Sequence, residues 1–237
     1  MRKSCPDLDS EDFQLIQVFL DTETTGIDVS AGHRIIELGA TVVRDGMHTN
    51  EEFHQLLNPE REIDPEASEV HGITIEMLAN EPRFRDVADR FIDFIRGREV
   101  FMHNATFDVR FIDAEFQHAN RAERMADLCR ITDTMTLAKQ IHKSGQVSLD
   151  ALCSKYAVDR TDRDKHGALL DSQLLAEVYL RMLESKNSLL GELEESEEVY
   201  EEPRFLKIQR QNPLVIHATD AELAAHEEYM RKLAAET

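Results

Sequence analysis

VFLDTETTG, residues 18–26, opens with three apolar residues and continues with two acids, Asp21 and Glu23, that are two positions apart. On a β-strand, side chains with this spacing project from the same face. Two carboxylates at the end of an apolar strand are costly to keep ionised unless a cation lies between them. The stretch therefore predicts a strand that carries a paired carboxylate ligand for a hard divalent ion.

Asp171 is an acid on a helix face that should be apolar. Residues 168–183 have the period of a helix, and Asp171 lies on the same stripe as Leu175, Val178 and Met182, which should face the core. The helix dipole alone also favours an acid in the first turn. The inward stripe nevertheless favours the interpretation of Asp171 as a ligand.

His166 precedes Asp171 by five residues, which is about 140° around an ideal helix. The two side chains therefore cannot share a helix face, and we expect His166 in the loop or first turn before the helix, beside Gly167. An imidazole with a pKa of about 6.5 is suited to taking a proton from an attacking water.

Each of these motifs alone also has an ordinary explanation. Asp108 follows the predicted N-cap Asn104 by four residues and could complement the helix dipole. The Thr24–Gly26 turn could simply end a strand, and His71 with Gly72 could be a plain loop. The joint order of D-x-E, H-N-x-x-F-D and H-x-x-x-x-D is far more specific, and it indicates a two-metal phosphodiesterase.

The predicted elements begin with three strands and continue with alternating helices and strands. The strands are predicted at residues 14–20, 33–43, 52–57, 99–103 and 130–132. The helices are predicted at residues 84–95, 104–119, 134–142, 149–156 and 168–183. An antiparallel meander followed by β-α-β-α predicts an α/β fold of the ribonuclease-H-like plan, with a mixed five-stranded sheet flanked by helices.

Four regions follow along the chain. We predict an N-terminal extension (1–13), a catalytic domain (14–183), an acidic flexible linker (184–203) and a C-terminal segment (204–237). The linker prediction rests on eight glutamates against one lysine between positions 184 and 202. Thr219 to Glu222 has the form of a capping box, followed by apolar residues at helical spacing, so a short helix is expected in the C-terminal segment.

The net charge of −20 is unusual for a protein that acts on nucleic acid, because phosphate backbones are usually met by basic surfaces. Residues 1–183 alone carry a net charge of −13. We therefore expect divalent ions and a partner that holds the duplex to supply the affinity. Three dispersed cysteines, the lack of a signal peptide and the lack of a long apolar run predict ordinary buried thiols, a cytoplasmic protein and no membrane partner.

Six stretches resemble the DEDD exonuclease superfamily, histidine-containing branch, and within it the epsilon family of proofreading subunits of bacterial replicative polymerases. They are FLDTETTGI, HRIIELGA, DPEASEVHGIT, HNATFDVRF, SLDALC and HGALLDSQLLAEVYL. The likeness covers residues 14–183 nearly continuously. The resemblance implies 3′-to-5′ removal of mispaired nucleotides from DNA.

The resemblance also implies roles for individual residues. Asp21, Glu23, Asp108 and Asp171 would be ligands of two Mg²⁺ or Mn²⁺ ions, with His166 as the general base. His71 would lie beside the terminal nucleotide. The full set of residues predicted to contact the DNA 3′ end is Asp21, Glu23, Thr24, His71, Asn104, Phe107 and Asp171.

The implied partners belong to a replicative polymerase. ATDAELAAHE, near the C-terminus, resembles the segment with which the family binds the polymerase catalytic (alpha) subunit, so residues 204–237 are predicted to bind it. A small third core subunit is a further implied partner that no residue here decides. Family members often carry a Gln-x-x-Leu/Met-x-Phe motif that binds the sliding clamp. Residues 186–191 keep only its leucine, which argues against clamp binding.

Three alternatives remain open at this point. A stand-alone RNA exonuclease of the same branch shares every catalytic residue, but has no need of the C-terminal segment. A phosphatase of the haloacid-dehalogenase type also has an acidic pair after its first strand, but requires Asp at the position of Glu23 and does not use H-x-x-x-x-D. A non-catalytic stabilising subunit would have no need of the intact set of ligands.

Overall fold

A computed structural model describes residues 16–142, 144–161 and 165–195, with side chains up to residue 185. Within these ranges five strands form one mixed sheet in the order β3-β2-β1-β4-β5. The strands are β1 Ile16–Thr24, β2 Ile35–Arg44, β3 Met47–Leu56, β4 Glu99–Met102 and β5 Arg130–Asp133. β1, β2 and β3 pair antiparallel, whereas β4 pairs parallel with β1 and β5. The predicted sheet is confirmed.

Two strands depart from their predicted lengths. β1 continues four residues beyond the predicted end at Leu20, so both acids of the pair lie inside the strand. β3 begins five residues earlier than predicted. Asp45 and Gly46 both have left-handed backbone angles, with φ of 52° and 75°, and a two-residue turn of this kind joins β2 directly to β3.

Eight α-helices flank the sheet in the same part of the chain. They are α1 Pro65–His71, α2 Ile75–Leu78, α3 Phe84–Ile95, α4 Ala105–His118, α5 Met125–Leu128, α6 Thr134–Ile141, α7 Leu149–Lys155 and α8 Ala168–Glu195. A 3₁₀ turn spans Val29–Ala31. The five predicted helices are confirmed. Most of their ends lie within one or two residues of the predicted positions. The short helices α1, α2 and α5 were not predicted.

The predicted linker is wrong over its first part, because residues 184–195 are the last turns of α8. Glutamate and leucine are good helix formers, so an acidic composition here continues the helix. The rest of the predicted linker lies outside the described residues, as do the N-terminal extension (1–13) and the C-terminal segment (204–237) with its predicted helix.

The two faces of the sheet bury different sets of side chains. Val18 and Leu20 pack into a core formed with α3 and α4. Phe19 points to the opposite face, where α6, α7 and α8 pack and where its ring stacks on Phe101 with centroids 4.9 Å apart. The alternation continues along β1, so odd-numbered residues face α8 and even-numbered residues face α4. The acid pair therefore lies on the face that α8 covers.

Gly39 allows α8 to begin directly against the sheet. It lies opposite Asp21 in the β1–β2 register. A Cβ atom at position 39 would clash with the backbone of Ala168 and Leu169. Because no larger residue fits this close approach, Gly39 brings the first turn of α8, and Asp171 with it, next to the acid pair.

Two of the three cysteines lie within the described residues. Cys153 is buried and Cys129 is partly buried, and burial raises the pKa of Cys129 to about 11. The prediction of buried thiols therefore holds fully for Cys153 and in part for Cys129. Cys5 lies outside the described residues. No helix in the described ranges combines the length and the apolarity that are needed to cross a bilayer.

Candidate active site

One cleft at the end of β1 brings together all four predicted metal ligands and the predicted general base. Its volume is about 200 Å³. The lining residues are Asp21, Thr22, Glu23, His103, Asn104, Phe107, Asp108, Leu149, His166 and Asp171. The acids come from β1, α4 and α8, which are distant in sequence and meet only in the folded chain.

Asp21 and Glu23 lie on the same face of β1, as the strand spacing predicts. The pKa of Asp21 is raised well above its usual value, first by burial and then by the charges of Asp108, Glu23 and Asp171. The neighbouring acids therefore oppose the ionisation of Asp21. This repulsion is the electrostatic condition that a bound cation relieves.

Asp108 lies in the first turn of α4 and is buried. Burial raises its pKa to about 7, although a hydrogen bond from Thr22 opposes that rise. The hydroxyl of Thr22 donates to Oδ1 of Asp108 over 2.7 Å. Sequence reasoning missed this role of Thr22. The strand alternation contains the signal, since Thr22 faces α4 while its two acidic neighbours face α8.

His166 lies in the loop before α8, as predicted, and its side chain is 43% exposed. Its backbone N–H donates to the carbonyl of Val70 over 3.2 Å, which ties the loop to the end of α1. Its Nδ1 is 3.1 Å from Oδ2 of Asp171. Asp171 is buried in the first turn of α8, on the same stripe as Leu175 and Val178.

The donor set of the cleft fits a divalent metal. Glu23, His166 and Asp171 offer ligand atoms that all lie within 4.8 Å of one another. Asp21 and Asp108 line the same cleft and have raised pKa values. Clustered carboxylate oxygens are the ligands that hard divalent cations prefer, and such a cation would favour their ionised forms.

A groove of about 450 Å³ adjoins the cleft and shares three of its lining residues. The shared residues are Thr22, Glu23 and Phe107, and the others are Thr24, Gly26, Ile27, Asp64, Glu66, Ala67, Val70 and His71. Ile27 is 86% exposed and Val70 is 48% exposed, so the groove presents apolar surface to solvent. Sequence reasoning missed Ile27 and Val70, because an apolar residue in a turn or on a seven-residue helix forms no periodic pattern.

The remaining predicted substrate contacts line the groove or the cleft, in conformations that the sequence did not reveal. His71 is the buried last residue of α1, not part of a plain loop; its Nδ1 accepts from the N–H of Ile73 over 3.0 Å, and burial lowers its pKa. The hydroxyl of Thr24 donates to the carbonyl of Gly26 over 2.7 Å.

Asn104 occupies the predicted N-cap position of α4, but in a left-handed conformation with φ of 69°. Its side chain makes no capping hydrogen bond within the described residues. Its backbone N–H donates to Oδ1 of Asp133 over 3.2 Å. Asn104 is exposed and lines the cleft, as does Phe107.

The family model RNase_T, described as exonuclease, matches residues 18–179. Together with the fold and the cleft, this match identifies the class of the protein as the exonucleases. Over 219 residues the chain is 44% identical to DNA polymerase III subunit epsilon of Escherichia coli (strain K12), covering 89% of this chain and 90% of that protein. Over 230 residues it is 39% identical to the protein of the same name from Haemophilus influenzae, covering 92% and 90%. The chain belongs, within the exonucleases, to the family of DNA polymerase III epsilon subunits.

Solved structures agree with this fold. Exonuclease X in complex with 5′ overhanging duplex DNA is 25% identical, with a TM-score of 0.58 over 72% of this chain and 93% of that one. The nuclease domain of 3′hExo, a DEDDh family member bound to rAMP, is 19% identical, with a TM-score of 0.63 over 74% of this chain and 95% of that one. The DEDD exonuclease family generally uses divalent metal ions, and the cleft described above suits one.

Proposed function

We propose that the protein is a metal-dependent 3′-to-5′ DNA exonuclease that removes mispaired nucleotides as the proofreading subunit of a bacterial replicative polymerase. The observation that carries the proposal is the convergence of four carboxylates and His166 in one cleft. The relatedness of the chain to epsilon subunits over about nine tenths of its length supports it. The proposed location is the cytoplasm, where such a complex acts.

Asp21, Glu23, Asp108 and Asp171 are the residues that would hold two divalent ions, Mg²⁺ or Mn²⁺. Such ions, when bound, lower the pKa of a coordinated water and stabilise charge on the scissile phosphate and its leaving oxygen. The protein's own contribution is to hold four mutually repelling acids in fixed positions. Thr22 fixes Asp108, the β-strand fixes Asp21 and Glu23, and the Gly39 contact fixes the start of α8.

His166 is the proposed general base. The tautomer that carries its proton on Nδ1 donates to Asp171 and makes Nε2 the nitrogen that accepts a proton. Its place in a half-exposed loop before α8 allows the ring to turn toward an attacking water. A base positioned in this way contributes about 10²–10⁴-fold to the rate.

The groove is the proposed site of the terminal nucleotide. Its apolar walls at Ile27, Val70 and Phe107 suit the face of a base, because stacking and packing on apolar side chains tolerate any sequence. Mispaired ends fray more readily than paired ends, so the free-energy cost of feeding a single strand into the groove is lower for errors. Selectivity for mismatches then requires no recognition of the base itself.

The acidic charge of the domain supports a role for a partner that holds the duplex. We propose that residues 204–237 bind the catalytic (alpha) subunit of the polymerase, which raises the local concentration of the exonuclease at the primer end. A cut after Leu183 would remove the last turns of α8, so the truncation that tests this proposal ends at Glu195.

The truncated protein is expected to hydrolyse a single-stranded oligonucleotide at the full-length rate but to lose co-purification with the alpha subunit. A stable complex of the truncated protein with alpha would place the docking surface on the catalytic domain instead. A small third core subunit remains a candidate partner, to be tested in the same co-purification.

The activity is tested by digestion of a primer with a 3′ mismatch, with and without Mg²⁺ or Mn²⁺. A matched primer serves as the control for selectivity, and an RNA strand of the same sequence serves as the control for substrate class. The proposal expects metal-dependent release of nucleotides from the 3′ end, faster from the mismatched DNA than from the matched DNA. Faster digestion of the RNA strand would support the stand-alone RNA exonuclease, and no hydrolysis with either metal would support the non-catalytic subunit.

A further inference from the structure

Glu37 is a buried carboxylate beside the active site that does not belong to the proposed ligand set. It lies on β2 and pairs directly with Glu23 across the β1–β2 ladder. Its side chain is only 9% exposed. A carboxylate buried next to four other acids is unfavourable unless specific partners hold it, so the partners of Glu37 indicate what it does.

The two oxygens of Glu37 contact two different elements. Oε2 accepts a hydrogen bond from the backbone N–H of Ala168, the first residue of α8, over 3.1 Å. Oε1 is 2.7 Å from Nε2 of His54 on β3. The carboxylate therefore lies between β3, an outer strand of the sheet, and the start of α8.

The hydrogen bond to Ala168 is made at the start of α8, between the two candidate site residues His166 and Asp171. The first N–H groups of a helix have no partner within the helix, and a negative charge at this end is favoured by the helix dipole. Ala168 is two residues after His166 and three before Asp171. Glu37 and Gly39 also lie on the same face of β2 and approach the same turn of α8.

We propose that Glu37 is a positioning residue, held by His54, which fixes the first turn of α8 and thereby sets Asp171 and His166 relative to Glu23. The proposal rests on the proposed function, because it assigns Glu37 a part in the same site. Glu37 supports the ligand-bearing helix through a backbone hydrogen bond and itself stays outside the ligand set.

The test compares Glu37→Ala with Glu37→Gln in the full-length protein. The glutamine amide oxygen can still accept from Ala168, so Glu37→Gln is expected to lower kcat by only about 2- to 5-fold, the size of a single charge at a helix end. Glu37→Ala is expected to lose about 10- to 100-fold in Mn²⁺ affinity and in kcat, as is typical of residues that orient metal ligands. Mn²⁺ affinity is measured by calorimetry without substrate, and kcat by oligonucleotide hydrolysis.

Glu115→Ala is the matched control. Glu115 is also a buried carboxylate that accepts a backbone N–H, that of Ile35, and pairs with Arg34, but it does not line the cleft. It is expected to lower Tm while Mn²⁺ affinity and kcat stay at the wild-type values. His54→Ala keeps the hydrogen bond between Glu37 and Ala168. Its losses in Mn²⁺ affinity and kcat are expected to lie between those of Glu37→Gln and Glu37→Ala, so it tests the proposal even if Glu37→Ala does not fold.

The outcomes separate the two proposals. Wild-type hydrolysis together with unchanged Mn²⁺ affinity and kcat in Glu37→Ala, or in His54→Ala where Glu37→Ala does not fold, would overturn the role of Glu37 alone. A loss in Glu37→Gln as large as that in Glu37→Ala would also overturn it, because the hydrogen bond to Ala168 would then not be what matters. Lack of hydrolysis by the wild-type protein would overturn the proposed function, whereas calorimetry would still report on Glu37.

Discussion

The cleft and the groove lie side by side and share Thr22, Glu23 and Phe107, yet the cleft is mainly acidic and the groove exposes apolar side chains. The cleft gathers acids, and two of them, Asp21 and Asp108, have raised pKa values, chiefly because they are buried. The groove leaves apolar side chains in water, with Ile27 86% exposed. On the proposed assignment, cations would relieve the repulsion in the cleft, and a nucleotide base would cover the apolar wall of the groove.

The contrast separates the two kinds of damage that a substitution can cause. Removing a group from the cleft should lower the rate of the chemical step, because it acts on charge and proton transfer. Removing a group from the groove should weaken substrate binding and leave kcat near its original value, because packing against the base is the same before and during the reaction.

The largest effect is expected from the double substitution Asp21→Ala with Glu23→Ala. Hydrolysis should fall below about a hundredth of the wild-type rate, since two ligands of the proposed metal site are lost. Tm measured in a chelator should stay the same or rise, because repulsion between the buried acids is relieved. Oligonucleotide hydrolysis and a thermal melt check both expectations.

The matched control is Asp93→Ala with Asp127→Ala, which removes two exposed acids that line neither the cleft nor the groove. It changes the net charge by the same amount and should hydrolyse at the wild-type rate. Activity above about a hundredth in the Asp21 and Glu23 variant would contradict the metal-ligand assignment of these two residues.

His166→Ala should be the next most damaging change, with a loss of about 10²–10⁴-fold in kcat. Mn²⁺ affinity should stay close to the wild-type value, because the four carboxylates remain. The acidic limb of the rate–pH profile, which titrates with the base, should disappear. His118→Ala, at an exposed position on α4, is the control, and near-full turnover by His166→Ala with its acidic limb unaltered would point to another base.

Phe107→Ala tests the groove. Loss of one stacking partner should raise KM about 5- to 150-fold, which corresponds to about 1–3 kcal/mol for each stacked base. The value of kcat at saturating substrate should change much less. Phe94→Ala removes a partly buried ring elsewhere on the surface and controls for general destabilisation. If Phe107→Ala lowers kcat at constant KM instead, Phe107 acts with the cleft and not with the groove.

The smallest effect concerns the stability of the metal-free protein against pH. Asp108 has a folded pKa of about 7 against a usual value of 3.8, so the folded state holds a proton that the unfolded state releases between these values. The stabilisation is complete below the lower value and is lost as pH rises through about 7. Tm in a chelator should therefore fall between about pH 4 and pH 7 and level off above that range.

Asp108→Asn provides the comparison for that pH dependence. Its amide stays neutral at every pH and can still accept from Thr22, so its Tm should fall less steeply over the same range. Asp93→Asn, at an exposed position, should retain the wild-type slope. If Tm falls equally steeply with pH in the wild type and in both variants, the pKa of Asp108 is not raised in the folded protein.

Much of the candidate site could be predicted from the sequence because its acids occupy positions where the pattern calls for apolar residues. Asp171 interrupts an apolar stripe, and Asp21 and Glu23 end an apolar run, so each conflicts with packing and predicts a ligand. The helix at residues 84–95 was predicted to the residue because three full turns of apolar spacing define it. Long periodic segments and misplaced charges are signals that a single sequence contains.

Other features depend on contacts between distant residues and left no local signal. The seven residues of α1 are too few to show a period, so His71 was not placed at a helix end. Nothing near Glu37 marks it as the partner of Ala168, which is 131 positions away. The extension of α8 was missed because acidic composition fits a solvated linker and a solvent-exposed helix equally well.

The placement of the acids on β1, α4 and α8 has a consequence during synthesis of the chain. Asp21 and Asp171 are 150 positions apart, and translation at about 5–20 residues per second separates their appearance by about 8 to 30 s. On the proposed assignment, a nascent chain that lacks α8 has an incomplete set of ligands and no base. On the same assignment, the chain stays inert until α8 has been made and docks against Gly39.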